Sequence, residues 1–300
     1  MTNDILLYDK YDYLLAQNIA KKLQINSVPY EILKFNNGEL FAKVDCNVKG
    51  KNIFILVKTS KEIQNFQNII FVVSEVYNRE AKYITVIAFY IPYLRQFSDE
   101  KPRNISSIII ETVLDAGANN IITLDPHCKT FLKNYKDHIF VISAKNIFIQ
   151  NIKSLKLSNF CFFSPDFGAK ELNSEMAKYF NKEIFIAKKI RNKDNNRVEE
   201  IILPIQNIPY KNIIIADDMI DSGQTMQILI DKILEKNPNV NIFIFCAHLI
   251  LSNIPPFIGY QQIRLIYSTN SLNNRKIKSK KIILKSLSRI LVDFIVKFKK

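Results

Sequence analysis

Short apolar runs rich in β-branched residues recur along the chain, and most are followed by a stretch whose apolar residues fall three or four positions apart. The runs are those of buried strands, and the wider spacing gives a helix one face toward a core. In chain order the pattern predicts a strand over 4–8 and a helix around 11–24, with Leu14, Leu15, Ile19 and Leu23 as its apolar positions. Asn37-Gly38 signals a tight turn ahead of strands over 40–46 and 53–57. A helix over 65–79, a strand over 83–88, a helix over 105–114 closed by Gly117 and a strand over 120–124 follow. The second half repeats the alternation. It predicts a strand over 160–164, a helix over 169–180, and a strand over 184–187 that continues through Lys188 to Arg191. The run Ile213-Ile214-Ile215, a helix over 226–235, strands over 241–248 and 263–267, and an amphipathic helix over 286–297 complete the series. Alternating strands and helices throughout predict an α/β fold.

Polar residues cluster where several of these strands end. The densest cluster follows Ile213-Ile214-Ile215: Asp217 and Asp218, then Asp221, Ser222, Gly223 and Thr225, then the helix. In an open parallel sheet, ligands bind at the carboxyl ends of strands. The free N–H groups of a helix N-terminus favour a phosphate, and Ser222 and Thr225 add hydroxyl donors. Asp217 and Asp218 are placed to hold the hydroxyls of a sugar joined to that phosphate. Capping alone needs one such residue and leaves the rest of the cluster unaccounted for. The strand over 120–124 ends in Asp125-Pro126-His127, where the imidazole could ligate a metal, touch phosphate or serve structure alone. Asp166 is a third carboxylate at a strand end. Lys189 and Arg191 share one face of an extended chain, beside the polar stretch 192–197, for which mobility is expected. They suit a polyphosphate clamp, and a solvated edge strand is the alternative. Tyr90 to Gln96 combines aromatic rings with Arg95, which suits a planar base and a phosphate, or else a surface loop covering a sheet edge.

Composition narrows this reading. The 300 residues, 48% of them hydrophobic, suffice for two domains with real cores. The formal charge of +14 would suit nucleic acid or an anionic substrate. The basic residues are scattered, apart from 275–285 and Lys299-Lys300, so no nucleic-acid surface is predicted. The cysteines at 46, 128, 161 and 246 form no CxxC and no metal-ligand spacing, and read as free thiols of a reducing cytoplasm. No apolar run approaches the ~18 residues of a membrane span. The N-terminal stretch carries Asp4 and Asp9 and no cleavage pattern, so no signal peptide is expected.

Together the motifs resemble those of the ribose-phosphate pyrophosphokinase family, whose members make phosphoribosyl pyrophosphate (PRPP). The stretch from Asp217 to Thr225 resembles the PRPP-binding motif, which type I phosphoribosyltransferases share. Phe35-Asn36-Asn37-Gly38-Glu39 resembles the family's Phe-x-Asp-Gly-Glu loop, and Tyr93-Leu94-Arg95-Gln96 its Tyr-Ala-Arg-Gln. Asp125-Pro126-His127 resembles its Asp-Leu-His, and Ser164-Pro165-Asp166-Phe167-Gly168 matches its Ser-Pro-Asp-x-Gly. Lys189-Ile190-Arg191 resembles its Lys-Arg-Arg, and Thr269-Asn270-Ser271-Leu272 its Thr-Asn/Asp-Thr-Ile. All these matches keep the family's order along the chain.

The resemblance implies two tandem type I phosphoribosyltransferase-like domains with mainly parallel sheets. The first would be 1–145 on the ATP side, with helix 286–300 as a candidate completion, and the second 146–285 with the ribose 5-phosphate loop. Phe35, Asn37, Glu39, Arg95 and Gln96 would serve ATP, and His127 and Asp166 would bind Mg2+. Asp217, Asp218, Asp221, Ser222, Gly223, Gln224 and Thr225 would hold ribose 5-phosphate. Lys189 and Arg191 would be catalytic, stabilising the diphosphoryl group in transfer. A cytoplasmic homo-oligomer, dimer or hexamer, acting in nucleotide synthesis is implied, with no nucleic-acid or membrane partner.

Several positions depart from the family pattern. Asn37 replaces an Asp, Phe97 stands where Asp follows Arg-Gln, Ile108 replaces a Lys, Ile190 takes the middle of the basic triplet, and Gln224 replaces a Gly. The segment 60–71 matches poorly. Two other readings therefore stay open: a non-catalytic partner of a true synthetase, and a phosphoribosyltransferase that consumes PRPP. Tandem domains and the first-half motifs speak against the transferase. Retention of Lys189, Arg191, His127 and Asp166 speaks against the non-catalytic partner.

Overall fold

The computed structural model describes residues 3–57, 64–96, 104–128, 130–191, 198–272 and 279–298. Phe97, the polar stretch 192–197, Lys299-Lys300 and parts of 60–71 and 275–285 lie outside the described residues. The chain divides into two units, Met1–Ser143 with Ser271–Asn273 and Ser286–Lys300, and Ala144–Asn270 with Asn274–Lys285.

The first unit opens with β1 (Asp4–Asp9), α1 (Tyr13–Leu23), β2 (Asn26–Lys34), β3 (Leu40–Val44) and β4 (Asn52–Val57). It continues with α2 (Gln64–Asn78), β5 (Tyr83–Ala88), α3 (Ile105–Asp115), β6 (Asn120–Leu124) and β7 (Ile139–Ile142). Among the described residues these strands form one sheet in the order β3-β2-β1-β4-β5-β6-β7, parallel except for the β2–β3 hairpin. The central strands β4, β5 and β6 are buried almost without alternation, as a parallel sheet covered on both faces requires. Gly117 follows α3 at φ +116°, and a Cβ there would lie 2.4 Å from the Tyr77 ring, so both conformation and space call for glycine.

The second unit holds α4 (Lys145–Ser154), β8 (Phe160–Ser164), α5 (Lys170–Phe180), β9 (Ile184–Ile186), β10 (Lys188–Arg191) and β11 (Val198–Ile202). Next come β12 (Asn212–Ile220), α6 (Gln224–Lys236), β13 (Asn241–Leu249), β14 (Ile263–Thr269) and β15 (Ile282–Lys285). The main sheet runs β15-β14-β13-β12-β8-β9 with every pair parallel, and β10 and β11 form a separate antiparallel ribbon. The chain then returns to the first unit in α7 (Ser288–Phe298), where Phe298 meets Phe140 of β7 with ring centroids 4.5 Å apart. Lys281, within the basic stretch 275–285, donates to the carbonyls of Ile258 and Tyr260 at 3.0 and 2.6 Å. That cation is engaged in structure.

Two elements differ from the pattern-based reading. The strand expected to run from 184 to 191 breaks at Ala187, whose N–H donates to the Ser164 carbonyl at 3.0 Å before the chain leaves the main sheet. The strand containing Ile213-Ile214-Ile215 does not stop ahead of the acidic pair. Its pairing with β8 ends at Ile215, but β13 runs alongside as far as Leu249 and holds β12 extended to Ile220. In each sheet the strand order reverses once, between β1 and β4 in the first and between β8 and β12 in the second. The crevice beyond the carboxyl ends at such a reversal is the usual ligand site of an open α/β sheet. Among the described residues no helix is long and apolar enough to cross a membrane.

All four cysteines are free, and burial pushes the thiols of Cys161 and Cys246 up to about 12. Thiolate is the reactive form, so both are inert near neutrality. At about pH 8, an aromatic disulfide reagent is expected to leave these two unmodified in the native protein and to reach all four in denaturant. Native-state modification of Cys161 or Cys246 at the rate of half-buried Cys128 would contradict a closed core.

Candidate active site

The second sheet reverses between β8 and β12, and the carboxylates stand there. Asp166 sits in the turn after β8, and Asp217 and Asp218 occupy the part of β12 that outruns β8. Both oxygens of Asp166 are engaged. Oδ1 accepts from the Ala169 N–H at 3.1 Å, and Oδ2 from the Lys189 ammonium at 3.0 Å. The Lys189 side chain is only 12% exposed, so water screens this pair less than it would a surface pair. Asp217 Oδ1 accepts from the Asp218 N–H at 2.9 Å. Burial first, then the charges of Asp218 and Asp166, hold the Asp217 carboxyl well above the usual carboxylate range. Lys188 is exposed. Arg191 ends β10, and its side chain lies outside the description. The structure therefore joins Asp166 and Lys189, to which the family resemblance gives separate roles.

The turn from Asp221 to Thr225 is held from several sides. Gly223 has φ +74°, and a Cβ there would lie 2.7 Å from the Pro255 ring, so no other residue fits unstrained. Pro255 is kept in place from α6. Gln227 accepts from the Phe257 N–H at 2.7 Å and donates to the Tyr260 hydroxyl at 2.8 Å, and it is itself tied to Asp231 at 3.0 Å. Ser222 Oγ accepts from the Gln224 N–H at 3.4 Å, and the Ser252 hydroxyl donates to the Asp221 carboxylate. Gly223 brings no capping side chain to α6, which suits a helix start that receives an anion. Sequence reasoning missed Gln227, Ser252 and Tyr260. The Gln227–Asp231 spacing of four was a local signal, whereas Ser252 and Tyr260 come from 31 and 33 residues away.

In the first unit the candidate residues follow β2, β5 and β6, which run parallel and so present their carboxyl ends at one edge of the sheet. The hairpin turn is closed by Gly38 N–H donating to Phe35 O at 2.9 Å and Phe35 N–H to Glu39 O at 2.8 Å. Asn37 Oδ1 accepts from the Glu39 N–H at 3.2 Å, a bond that the family's Asp would make equally well. Phe35 stacks on Phe41 with centroids 4.3 Å apart and is still 54% exposed, leaving area for a planar group. After β5, Tyr93 adopts φ +65° and leads into a tight turn at Leu94–Gln96 that carries exposed Arg95. The Gln96 side chain lies outside the description. The Ser106 hydroxyl donates to Pro92 O at 3.1 Å and so ties this loop to α3. His127 is exposed beyond β6. It belongs to the first unit and Asp166 to the second. Among the described residues, no three or more His, Cys, Asp or Glu side chains are gathered into a metal cage.

Comparison with known proteins accounts for both halves of the chain. A family model described as the N-terminal domain of ribose phosphate pyrophosphokinase matches residues 6–126, and a phosphoribosyl transferase domain model matches residues 132–253. The chain belongs to the ribose-phosphate pyrophosphokinase family. It is 28% identical over 244 residues to the ribose-phosphate pyrophosphokinase of Ralstonia nicotianae, spanning 79% of this chain and 76% of that protein. It is 27% identical over 245 residues to the ribose-phosphate pyrophosphokinase of Fusobacterium nucleatum, spanning 80% and 76%. The solved phosphoribosylpyrophosphate synthetase of Mycobacterium smegmatis shares the fold, with a TM-score of 0.86 over 99% of both chains at 21% identity. The expected fold of two phosphoribosyltransferase-like domains with mainly parallel sheets is therefore the fold of this pyrophosphokinase-family chain.

Gly223→Ala tests the turn. Left-handed backbone and the overlap with Pro255 together are expected to cost roughly 2–4 kcal/mol. Denaturant unfolding measures this, and an unchanged midpoint would mean that the turn and Pro255 do not press on each other.

Proposed function

We propose that the chain transfers the diphosphoryl group of Mg-ATP to the C1 hydroxyl of ribose 5-phosphate, giving PRPP and AMP for nucleotide synthesis in the cytoplasm. The supporting observation is the convergence of Asp166, Lys189, Asp217 and Asp218 at one end of the second sheet, beside the Gly223 turn. Asp217 and Asp218, held on a paired strand, accept hydrogen bonds from the ribose hydroxyls. The 5-phosphate takes the backbone N–H groups that open α6, with Ser222 and Thr225 beside them. Phe35, Asn37, Glu39, Arg95 and Gln96 receive ATP. The C1 oxygen attacks the β-phosphorus. The bond from that phosphorus to the oxygen bridging it to the α-phosphorus breaks, AMP leaves with the electron pair, and the hydroxyl proton is lost. Lys189 and Arg191 meet the charge on the moving group. Such a reaction depends on positioning and charge neutralisation and needs no nucleophilic side chain.

His127 and Asp166 are the residues proposed to hold Mg2+. Mg2+ is commonly held through one or two carboxylates together with substrate phosphates and water, and Asp166, in the turn after β8, is a donor of that kind. When bound, the ion neutralises phosphate oxygens. The homo-oligomer, dimer or hexamer, belongs to the same proposal.

The deciding assay follows AMP and PRPP formation from ATP and ribose 5-phosphate with Mg2+. Ribose 5-phosphate binding without AMP release would instead favour a non-catalytic partner, and PRPP consumption with a free base would favour a transferase. Asp218→Ala is expected to weaken ribose 5-phosphate binding by ~1–3 kcal/mol through a lost charge-assisted bond. Calorimetry giving parental affinity would remove Asp218 from the sugar site. Lys189→Ala should lower kcat by about 10²–10³ with little change in KM, as for other electrostatic donors to a transition state. Exposed Lys188 is the control, and equal effects of Lys188→Ala and Lys189→Ala would refute the clamp.

A further inference from the structure

Asn173 is the fourth residue of α5 and is fully buried, with 0% of its surface exposed. Asparagine is a poor helix former, and a buried carboxamide is costly unless its polar atoms are satisfied. Here they are. Nδ2 donates to the Ala169 carbonyl at 2.8 Å and to the Ala216 carbonyl at 2.7 Å, while Oδ1 accepts from the Ala216 N–H at 3.0 Å. The side chain thus pairs with Ala216 as a neighbouring strand would. It does so where β8 no longer can. The β8–β12 ladder ends at Phe163 and Ile215, and Pro165, just past β8, has no N–H to give.

Two carboxylate-bearing segments meet through this one amide. On one side, the Ala169 N–H donates to Asp166 Oδ1 and the Ala169 carbonyl accepts from Asn173. On the other, Ala216 is covalently joined to Asp217. A chain of short bonds therefore runs from the Asp166 carboxylate to the root of the acidic pair. We infer that Asn173 is a positioning residue that fixes the Asp166 turn relative to Asp217 and Asp218, so that the metal-binding and ribose-binding carboxylates address one substrate. The inference rests on the roles given to those residues under the proposed function. Nothing in the motif matches points to position 173. Its signal is a polar residue on the buried face of a helix, near Met176 and Ala177.

The test compares Asn173→Ala, Asn173→Ser and Met176→Ala with the parent. A serine hydroxyl in a helix can bond the carbonyl four residues back, here Ala169, but is too short to span to β12 as well. Asn173→Ser therefore cuts the link between the segments while sparing the helix, and it carries the test if the alanine variant fails to fold. Met176 is buried on the same helix and reports general loss of packing. Ribose 5-phosphate affinity is read by calorimetry in the presence of Mg2+, alongside kcat, KM and melting temperature. Both Asn173 variants are expected to bind ribose 5-phosphate roughly tenfold more weakly and to lose roughly ten- to hundred-fold in kcat, because small misplacements at a reacting centre are that costly. Met176→Ala should melt earlier with affinity and kcat as in the parent. If the Asn173 variants melt earlier yet keep parental affinity and kcat, Asn173 is only a structural residue and the inference fails alone. If the parent itself binds no ribose 5-phosphate, the site reading fails and takes the inference with it.

Discussion

Like charges crowded beside a buried sheet are the constraint around which the second unit is arranged. Asp217 bears the field of both Asp218 and Asp166, and its partial burial thins the water that would screen them. Such a group can be stabilised by protons, cations or hydroxyl donors. Among the described residues Lys189 supplies a cation, and it reaches Asp166 from a ribbon that shares no ladder with the main sheet. The acidic cluster is thereby part-neutralised while Asp217 and Asp218 remain placed for a ligand with donors of its own. The sugar hydroxyls and divalent ion proposed for this site would answer that demand.

Holding carboxylates in such a place requires rigid supports, and these come from distant parts of the chain. β13 keeps β12 extended after β8 has turned away. Pro255 lies over Gly223, and Gln227 ties the Pro255 segment back to the helix that the Gly223 turn begins. These supports act on backbone, and the Ser252 hydroxyl adds a bond to the Asp221 carboxylate of the turn itself.

Much of the fold was legible because parallel strands are apolar throughout and helices repeat their apolar residues every three or four positions. The elements passed over were either short, as β7 and β15 with four residues each and β11 with five, or weakly patterned, as β2, a largely exposed strand, and the helix α4. The break at Ala187 left no trace, since the residue is apolar and ordinary in a strand, and only the hydrogen bond to Ser164 reveals where the chain departs. The end of β12 was misplaced for a related reason. Two aspartates in a row read as the close of a strand, but pairing on one side only is enough to carry them. Polar residues at strand ends were legible one by one in the sequence. The ion pair between positions 166 and 189, and the clasp of Asn173 on Ala216, depend on how strands lie side by side, which no local pattern encodes.

The return of α7 to the first unit also governs how the protein is made. α1 and β7 are built early, yet α7, which packs on both, lies beyond the whole second unit. At ribosomal speeds, roughly ten to thirty seconds separate the emergence of β7 from that of α7. During that interval Phe140 and the flank of α1 lack their cover. The nascent first unit is an unfinished body with an apolar seam, and it can close only when the helix that seals it has left the tunnel.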